Sequence, residues 1–239
     1  MARPVRVCLV GATGLVGRAL VDRCVGRPDV RLTAVSRREF ALPEGARMEV
    51  LLTQPDRWSD AIAAATPDVV VCALGTTWAA AGRDEAEFRR TDHDLVLSCA
   101  RWAAEAGVGR FIFVSSVGAD MAARSVYLRT KGEVEMALGK IGFARLDIVR
   151  PGLLRGKREE RRPLERIGQI VMPAADRMLL GGLSRYRSIR ATDLADAILA
   201  LAQIKTRGRY VHEHDALLRA IRRHVLEAGV RAAVAGTVD

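Results

Sequence analysis

The sequence predicts an α/β fold, a doubly wound parallel sheet with helices on both faces and a small C-terminal lobe, and three observations predict it. Apolar strand-like runs alternate with helix-periodic stretches through the first two thirds of the chain, the rhythm of successive βαβ units. Several runs are apolar at successive positions rather than alternate ones, as strands covered on both faces require. A glycine-rich stretch, Gly11-Ala-Thr-Gly-Leu-Val-Gly17, separates the first such run from the first helical pattern.

The pattern places strands at Val5 to Val10, Leu32 to Ser36, Met48 to Leu52, Val69 to Leu74, Phe111 to Ser115 and Leu146 to Val149. Helices are expected over Leu15 to Val25, Asp56 to Ala65, Glu85 to Ala106 and Arg124 to Lys140. In the third of these, Phe88, Leu95, Cys99, Trp102 and Ala103 recur at near-helical spacing and read as core. Beyond Pro151-Gly152 the alternation weakens. The mixed-sign run Arg155 to Arg162 reads as a solvated loop or helix face, Asp193 to Ala202 as a helix, Arg209 to Glu213 as a short strand and Ala216 to Leu226 as a last amphipathic helix. No Ser-, Gly- or Pro-rich linker divides the chain. Residues 1–153 are therefore expected to form the nucleotide-binding core, with 154–239 a substrate lobe packed on the same compact unit.

At 239 residues and 49% hydrophobic content the chain can bury a substantial core. No apolar run approaches the roughly 18 residues of a membrane span, and the N-terminal stretch lacks the form of a secretory signal. A soluble protein with a cytoplasmic location and no membrane partner is expected. Cys8, Cys24, Cys72 and Cys99 lie apart within apolar patterns, so they read as reduced packing residues rather than metal ligands. The net charge of +10 raises the question of a nucleic-acid partner. Arginines spread along the chain, aromatics at 5% and the lack of a nucleic-acid-binding motif argue instead for a basic exterior that attracts a phosphorylated cofactor.

Strand before and helix after make the glycine stretch a cradle for a dinucleotide pyrophosphate. The glycines permit a tight turn and close backbone approach, and the helix N-terminus supplies positive partial charge. Gly11, Thr13, Gly14, Leu15, Val16 and Gly17 are thus candidate cofactor contacts in a Rossmann-like sheet. An NAD-selective site carries an acidic side chain at the end of the second strand, whereas this chain has Ser36-Arg37-Arg38 there, with Glu39 too late for the usual ribose contact. Guanidinium groups bind a 2′-phosphate through paired, charge-assisted hydrogen bonds, so NADP(H) is expected over NAD, with Arg37 the first choice.

Tyr127-Leu-Arg-Thr-Lys131 puts a phenol and an ammonium four residues apart on one predicted helix, facing one site. A cation within about 4–6 Å lowers a tyrosine pKa by roughly 1–3 units, which suits Tyr127 to proton transfer at a carbonyl oxygen. Lys131 would supply that cation and hold the nicotinamide ribose. Phe111-Ile-Phe-Val-Ser-Ser116 ends a strand of the expected sheet, where ligands of such folds gather, and Ser116 is preferred over Ser115 to orient the substrate oxygen.

Glycine loop, strand-end serine, tyrosine–lysine helix and Arg150-Pro-Gly152 occur in the order that resembles the short-chain dehydrogenase/reductase superfamily. Cys72-Ala-Leu-Gly-Thr-Thr77, Ser115-Ser-Val-Gly-Ala-Asp120 and Tyr127-Leu-Arg-Thr-Lys-Gly-Glu-Val-Glu135 are similar to its atypical branch typified by the Tat-interacting-protein oxidoreductases, over roughly residues 5–165. The resemblance implies a Rossmann-like fold with NADP at the strand ends, Gly75 and Thr76 lining the cofactor, and Pro151, Gly152 and Leu153 against the nicotinamide. Many superfamily enzymes place an asparagine on the helix after the fourth strand for a proton relay, where this chain has Arg90-Thr-Asp-His93; His93 is an alternative proton carrier. The expected function is NADPH-dependent interconversion of a small-molecule carbonyl and an alcohol, with Ser116, Tyr127 and Lys131 catalytic. The alternative is a non-catalytic NADP sensor that binds a protein partner.

Overall fold

A computed structural model describes residues 3–156, 179 and 181–235. Seven strands form one parallel sheet: β1 (Val5–Val10), β2 (Val30–Ser36), β3 (Glu49–Leu52), β4 (Val69–Cys72), β5 (Arg110–Val114), β6 (Arg145–Val149) and a late strand, Gly208–His212. Strands β7 (Leu154–Arg155) and β8 (Ile189–Arg190) pair separately, so the late strand is β9. The order is β3-β2-β1-β4-β5-β6-β9, and it reverses direction at β1, which pairs with β2 on one side and β4 on the other. That reversal opens a crevice at the carboxyl ends of β1 and β4.

The uninterrupted apolar strands follow from burial on two sides. In β1, Val5, Val7 and Leu9 join one core while Cys8 and Val10 join the other. The first core is closed by α1 (Leu15–Cys24) and α6 (Ala191–Gln203), through Val16, Leu20, Leu194 and Ile198 among others. The second is closed by α2 (Trp58–Ala64), α4 (Val96–Glu105) and α5 (Val126–Leu138), through Trp58, Ile62, Val96, Cys99, Val134 and Leu138. All four cysteines are buried and free, and burial first of all pushes the Cys8 and Cys24 thiols up to about 12, which suits packing rather than reactivity. No described helix is long and apolar enough to cross a membrane.

Two expectations need correction. The helix expected over Glu85 to Ala106 is α3 (Glu85–Arg89) and α4 joined by a π-turn, Arg90–Leu95. The sheet is also not completed within residues 1–153. Strand β6 is buried along its whole length and needs a neighbour on its far side, which β9 supplies in parallel register from Arg145↔Gly208 to Val149↔His212. Helix α6 then covers the first core, and α7 (His214–Ala235) packs against α6. What stands apart from the sheet is the β7–β8 pair with the 3-10 turn Gly181–Tyr186. Of the charged run Arg155 to Arg162, residues 157–162 lie outside the described residues.

A buried charge cluster fastens β9. Asp147 on β6 takes both Arg145 contacts at 2.7 Å and pairs with His212 Nε2 at 2.8 Å, while the Tyr210 ring lies 4.3 Å from the Arg145 guanidinium carbon. Arg145 and Asp147 are 3% and 1% exposed, so removing one partner strands a charge away from water. Asp147→Ala should lower the unfolding free energy by about 3–5 kcal/mol in urea denaturation, and an unchanged midpoint would contradict the assignment.

Candidate functional site

A cleft of about 610 Å³ opens at the β1/β4 reversal. Gly11, Thr13, Gly14 and Leu15 line it from the loop after β1, Ser36, Arg37 and Arg38 from the end of β2, and Gly75 and Thr76 from the loop after β4. Gly11 has φ +96°, and a Cβ there would lie 2.6 Å from the Ala73 carbonyl carbon, so the two loops approach as backbone against backbone. A Cβ on Gly17 would run into the Gly11 carbonyl oxygen, which locks the start of α1 onto the turn. Val16 and Gly17 are buried and shape the loop from behind rather than lining the cleft. Helix α1 starts at Gly14 with no side-chain cap and no acid in its first turn, leaving its end suited to an anion. These features fit a pyrophosphate held by backbone N–H groups.

Ser36 ends β2 buried, and its Oγ donates to the Arg38 carbonyl at 2.8 Å, fixing the turn that carries the exposed Arg37 and Arg38 to the cleft edge. Arg18, which sequence reasoning missed, also lines the cleft, with its Nε donating to the Thr13 carbonyl at 3.2 Å. It lies one turn into α1, in phase with Gly14, and that spacing was the available signal.

The second group of candidates sits on the first turns of α5. Tyr127 is half-buried with its ring 5.9 Å from that of Phe88. Lys131 is 2% exposed, its Nζ 5.0 Å from the Phe113 ring centre and 6.0 Å from that of Tyr127. The partner of Lys131 is Asp92, fully buried in the middle of the π-turn, with Oδ1 3.0 Å from Nζ. The other carboxylate oxygen of Asp92 accepts the Thr76 N–H at 2.6 Å. Burial, the largest influence, pulls the Lys131 pKa down, but the Asp92 carboxylate together with Tyr127 and Cys72 turns the net shift upward, so the ammonium stays charged. Asp92 thus joins the tyrosine–lysine helix to the loop that lines the cleft.

Sequence reasoning also passed over Asp92. It lies in phase with Phe88, Val96, Cys99 and Ala103, all buried, and a carboxylate in an apolar stripe demands a buried partner. His93 points elsewhere, its Nδ1 paired with Asp94 at 2.7 Å.

The two serines differ in their commitments. Ser115 is buried and its Oγ donates to Glu135 Oε1 at 2.5 Å, while Glu135 is itself paired with Arg150 at 2.5 Å. Ser116 is half-buried, and its Oγ makes a long 3.3 Å contact with the neighbouring Val117 carbonyl. Ser116 is therefore the hydroxyl left available at the end of β5. Pro151, Gly152 and Leu153 lie outside the cleft lining but next to this strand end, since the Val117 N–H donates to the Pro151 carbonyl at 3.0 Å. A Cβ on Gly152 would strike the Arg187 carbonyl, and Leu153 is 45% exposed with its carbonyl held by the Ile189 N–H at 3.0 Å.

The Gly11 geometry sets a test of the cleft. Gly11→Ala forces a side chain into a left-handed backbone position and against Ala73, which costs about 1–3 kcal/mol in strain. Thermal unfolding should shift down and nucleotide binding, followed by cofactor fluorescence, should be lost; binding at the original affinity would show that the cleft is not the nucleotide site.

The pattern of the NAD dependent epimerase/dehydratase family matches residues 7–212. Protein fmp52, mitochondrial, of Emericella nidulans is 37% identical over 170 residues, spanning 68% of this chain and 72% of the relative. Protein FMP52, mitochondrial, of Candida albicans is 34% identical over 201 residues, spanning 82% and 86%. Among solved structures, the oxidoreductase ylbE from Lactococcus lactis aligns with a TM-score of 0.63 at 19% identity, covering 91% of this chain and 97% of that one. MoeE5 in complex with UDP-glucuronic acid and NAD aligns with a TM-score of 0.65 at 18% identity, covering 86% and 74%. These structural likenesses show a shared Rossmann-like fold. The cytoplasmic location expected from the sequence does not stand, because the curated relatives at 34–37% identity are named as mitochondrial proteins.

Proposed function

The chain belongs to the NAD dependent epimerase/dehydratase family, and we propose that it is an NADP(H)-dependent oxidoreductase that interconverts a small-molecule carbonyl and an alcohol. The observation that carries this reading is the Asp92 bridge, which ties a nucleotide-shaped cleft, through Thr76, to a buried ammonium beside a half-exposed phenol. A sensor that only binds nucleotide has no use for that second half.

In this reading Gly11, Thr13, Gly14 and Leu15 hold the pyrophosphate, backed by Val16 and Gly17, and Gly75 and Thr76 close the opposite wall. Arg37 and Arg38 take the 2′-phosphate from the turn fixed by Ser36, with Arg18 as a third guanidinium on the cleft. Pro151, Gly152 and Leu153 flank the nicotinamide. When bound, NADP(H) supplies the hydride donor or acceptor. The chain's own residues handle the proton and the geometry. Ser116 Oγ donates to the substrate carbonyl oxygen and holds it in place, and Tyr127 Oη delivers the proton to that oxygen in reduction or removes it in oxidation. Lys131 stabilises the phenolate by its charge and holds the nicotinamide ribose. The β7–β8 pair and the turn Gly181–Tyr186, which stand apart from the sheet, supply the substrate-side wall.

The clamp and the proton donor are separable. Arg37→Ala/Arg38→Ala removes one or two charge-assisted contacts of about 1.5–3 kcal/mol each, so the NADPH dissociation constant should rise about tenfold or more while that for NADH stays within about threefold. An equal effect on both nucleotides, or tighter NADH binding by the unaltered protein, would refute the 2′-phosphate assignment. Tyr127→Phe should reduce turnover of a carbonyl panel by at least about a hundredfold with NADPH affinity unchanged; full retention of turnover would remove Tyr127 from the chemistry. Family membership also favours a second reading, an epimerase that regenerates its cofactor in each cycle. Deuterium carried from [4-²H]NADPH into the product with equal consumption of cofactor supports the reductase, and epimerised product with no net consumption supports the alternative.

A further inference from the structure

We propose that Asp92 is the positioning residue that keeps Lys131 cationic and aimed at Tyr127, taking the place in the site where the sequence lacks a relay asparagine. The proposal rests on the reading of Tyr127 and Lys131 given above, and it adds a residue which that reading does not need.

The geometry is specific. Asp92 and Lys131 have side chains 0% and 3% exposed, so neither charge has water to stabilise it. One oxygen of Asp92 is spoken for by the Thr76 N–H at 2.6 Å, which fixes the carboxylate plane relative to the cleft loop. The other lies 3.0 Å from Lys131 Nζ and forms no well-aligned hydrogen bond among the described residues, so its interaction with the ammonium is mainly coulombic. A Cβ on Gly75 would sit 3.4 Å from that oxygen and 3.8 Å from Nζ, so the absence of a side chain at 75 leaves the pair next to the cleft wall. The carboxylate is carried by a π-turn, a local insertion common at functional sites, which shifts the helix face at Arg90–Leu95.

The other groups facing Lys131 do not replace Asp92. The Cys72 thiol at the end of β4 is neutral near pH 7, since burial first of all raises it to about 11. Phe113 on β5 offers only a ring face, at 5.0 Å. Tyr127 lies on the same helix and is the group whose proton is to be moved. Without Asp92, burial faces only the smaller upward pulls of Tyr127 and Cys72 and lowers the Lys131 pKa, so the amine loses its proton as pH rises and the phenol loses its cation.

Asp92→Asn separates charge from shape, because the amide oxygen can still accept from Thr76. For carbonyl reduction between pH 5.5 and 9.5, kcat/KM of the variant should approach that of the unaltered protein at the acid end and fall behind by about tenfold per pH unit above the new lysine pKa. NADPH affinity should change by less than about threefold. A deficit of one size at every pH, or no deficit, would overturn the proposal. Thermal unfolding provides a readout independent of turnover: Asp92→Asn should lower Tm, and Asp92→Asn/Lys131→Met, which leaves no unpaired charge, should restore it. Failure of the double variant to recover would equally overturn the pairing. If the unaltered protein reduces no carbonyl in the panel, the functional reading falls, and the Tm pair alone judges Asp92.

Discussion

A lysine ammonium almost wholly withdrawn from water has to be answered by an anion, and the site is arranged around that requirement. Lys131 is held by Asp92, and Asp92 is held by the backbone of Thr76. Three segments distant in sequence, the loop after β4, the π-turn after α3 and the first turns of α5, are thereby fixed to one another by a single carboxylate. Uncompensated, a buried charge of this kind costs several kcal/mol, so the pairing constrains the fold as strongly as it constrains any chemistry.

The sheet dictates where this happens. Strand order reverses at β1, leaving a crevice that no crossover helix fills, and the glycine turn brings the β1 and β4 loops into contact closer than any side chain would allow. Neighbouring strand ends then supply the other parts: β2 the arginines, β5 the serines, β6 the Pro151 segment. A second buried carboxylate, Glu135, anchors Ser115 and Arg150 and so leaves Ser116 as the available hydroxyl at the end of β5. Two acids on the inner side of the site, each with its own cation, hold the surrounding strand ends in register.

Much of the fold is legible in the sequence. Continuous apolar runs identify buried parallel strands because both faces of each strand meet a helix, and β1 spans the expected Val5–Val10. The glycine loop, Arg37, Arg38, Tyr127 and Lys131 stand out in the sequence as candidates because the chemistry proposed for them is tied to short fixed spacings. Asp92 was not. Its partner lies 39 residues away and its meaning comes from burial, which sequence shows only as a charge standing in phase with Phe88 and Val96. Strand β9 was recognised as a strand but not as part of the main sheet, since five residues carry no record of the neighbour they will pair with. The choice between Ser115 and Ser116 likewise depended on Glu135, a residue twenty positions further on.

A crystal structure of the protein with NADP⁺ tests the proposed site most directly. The pyrophosphate should lie over Gly11–Gly14, the 2′-phosphate within hydrogen-bond distance of Arg37 or Arg38, and the nicotinamide ribose on Lys131 beside Tyr127. A nucleotide bound elsewhere, or bound in the cleft with its nicotinamide directed away from Lys131, would contradict it.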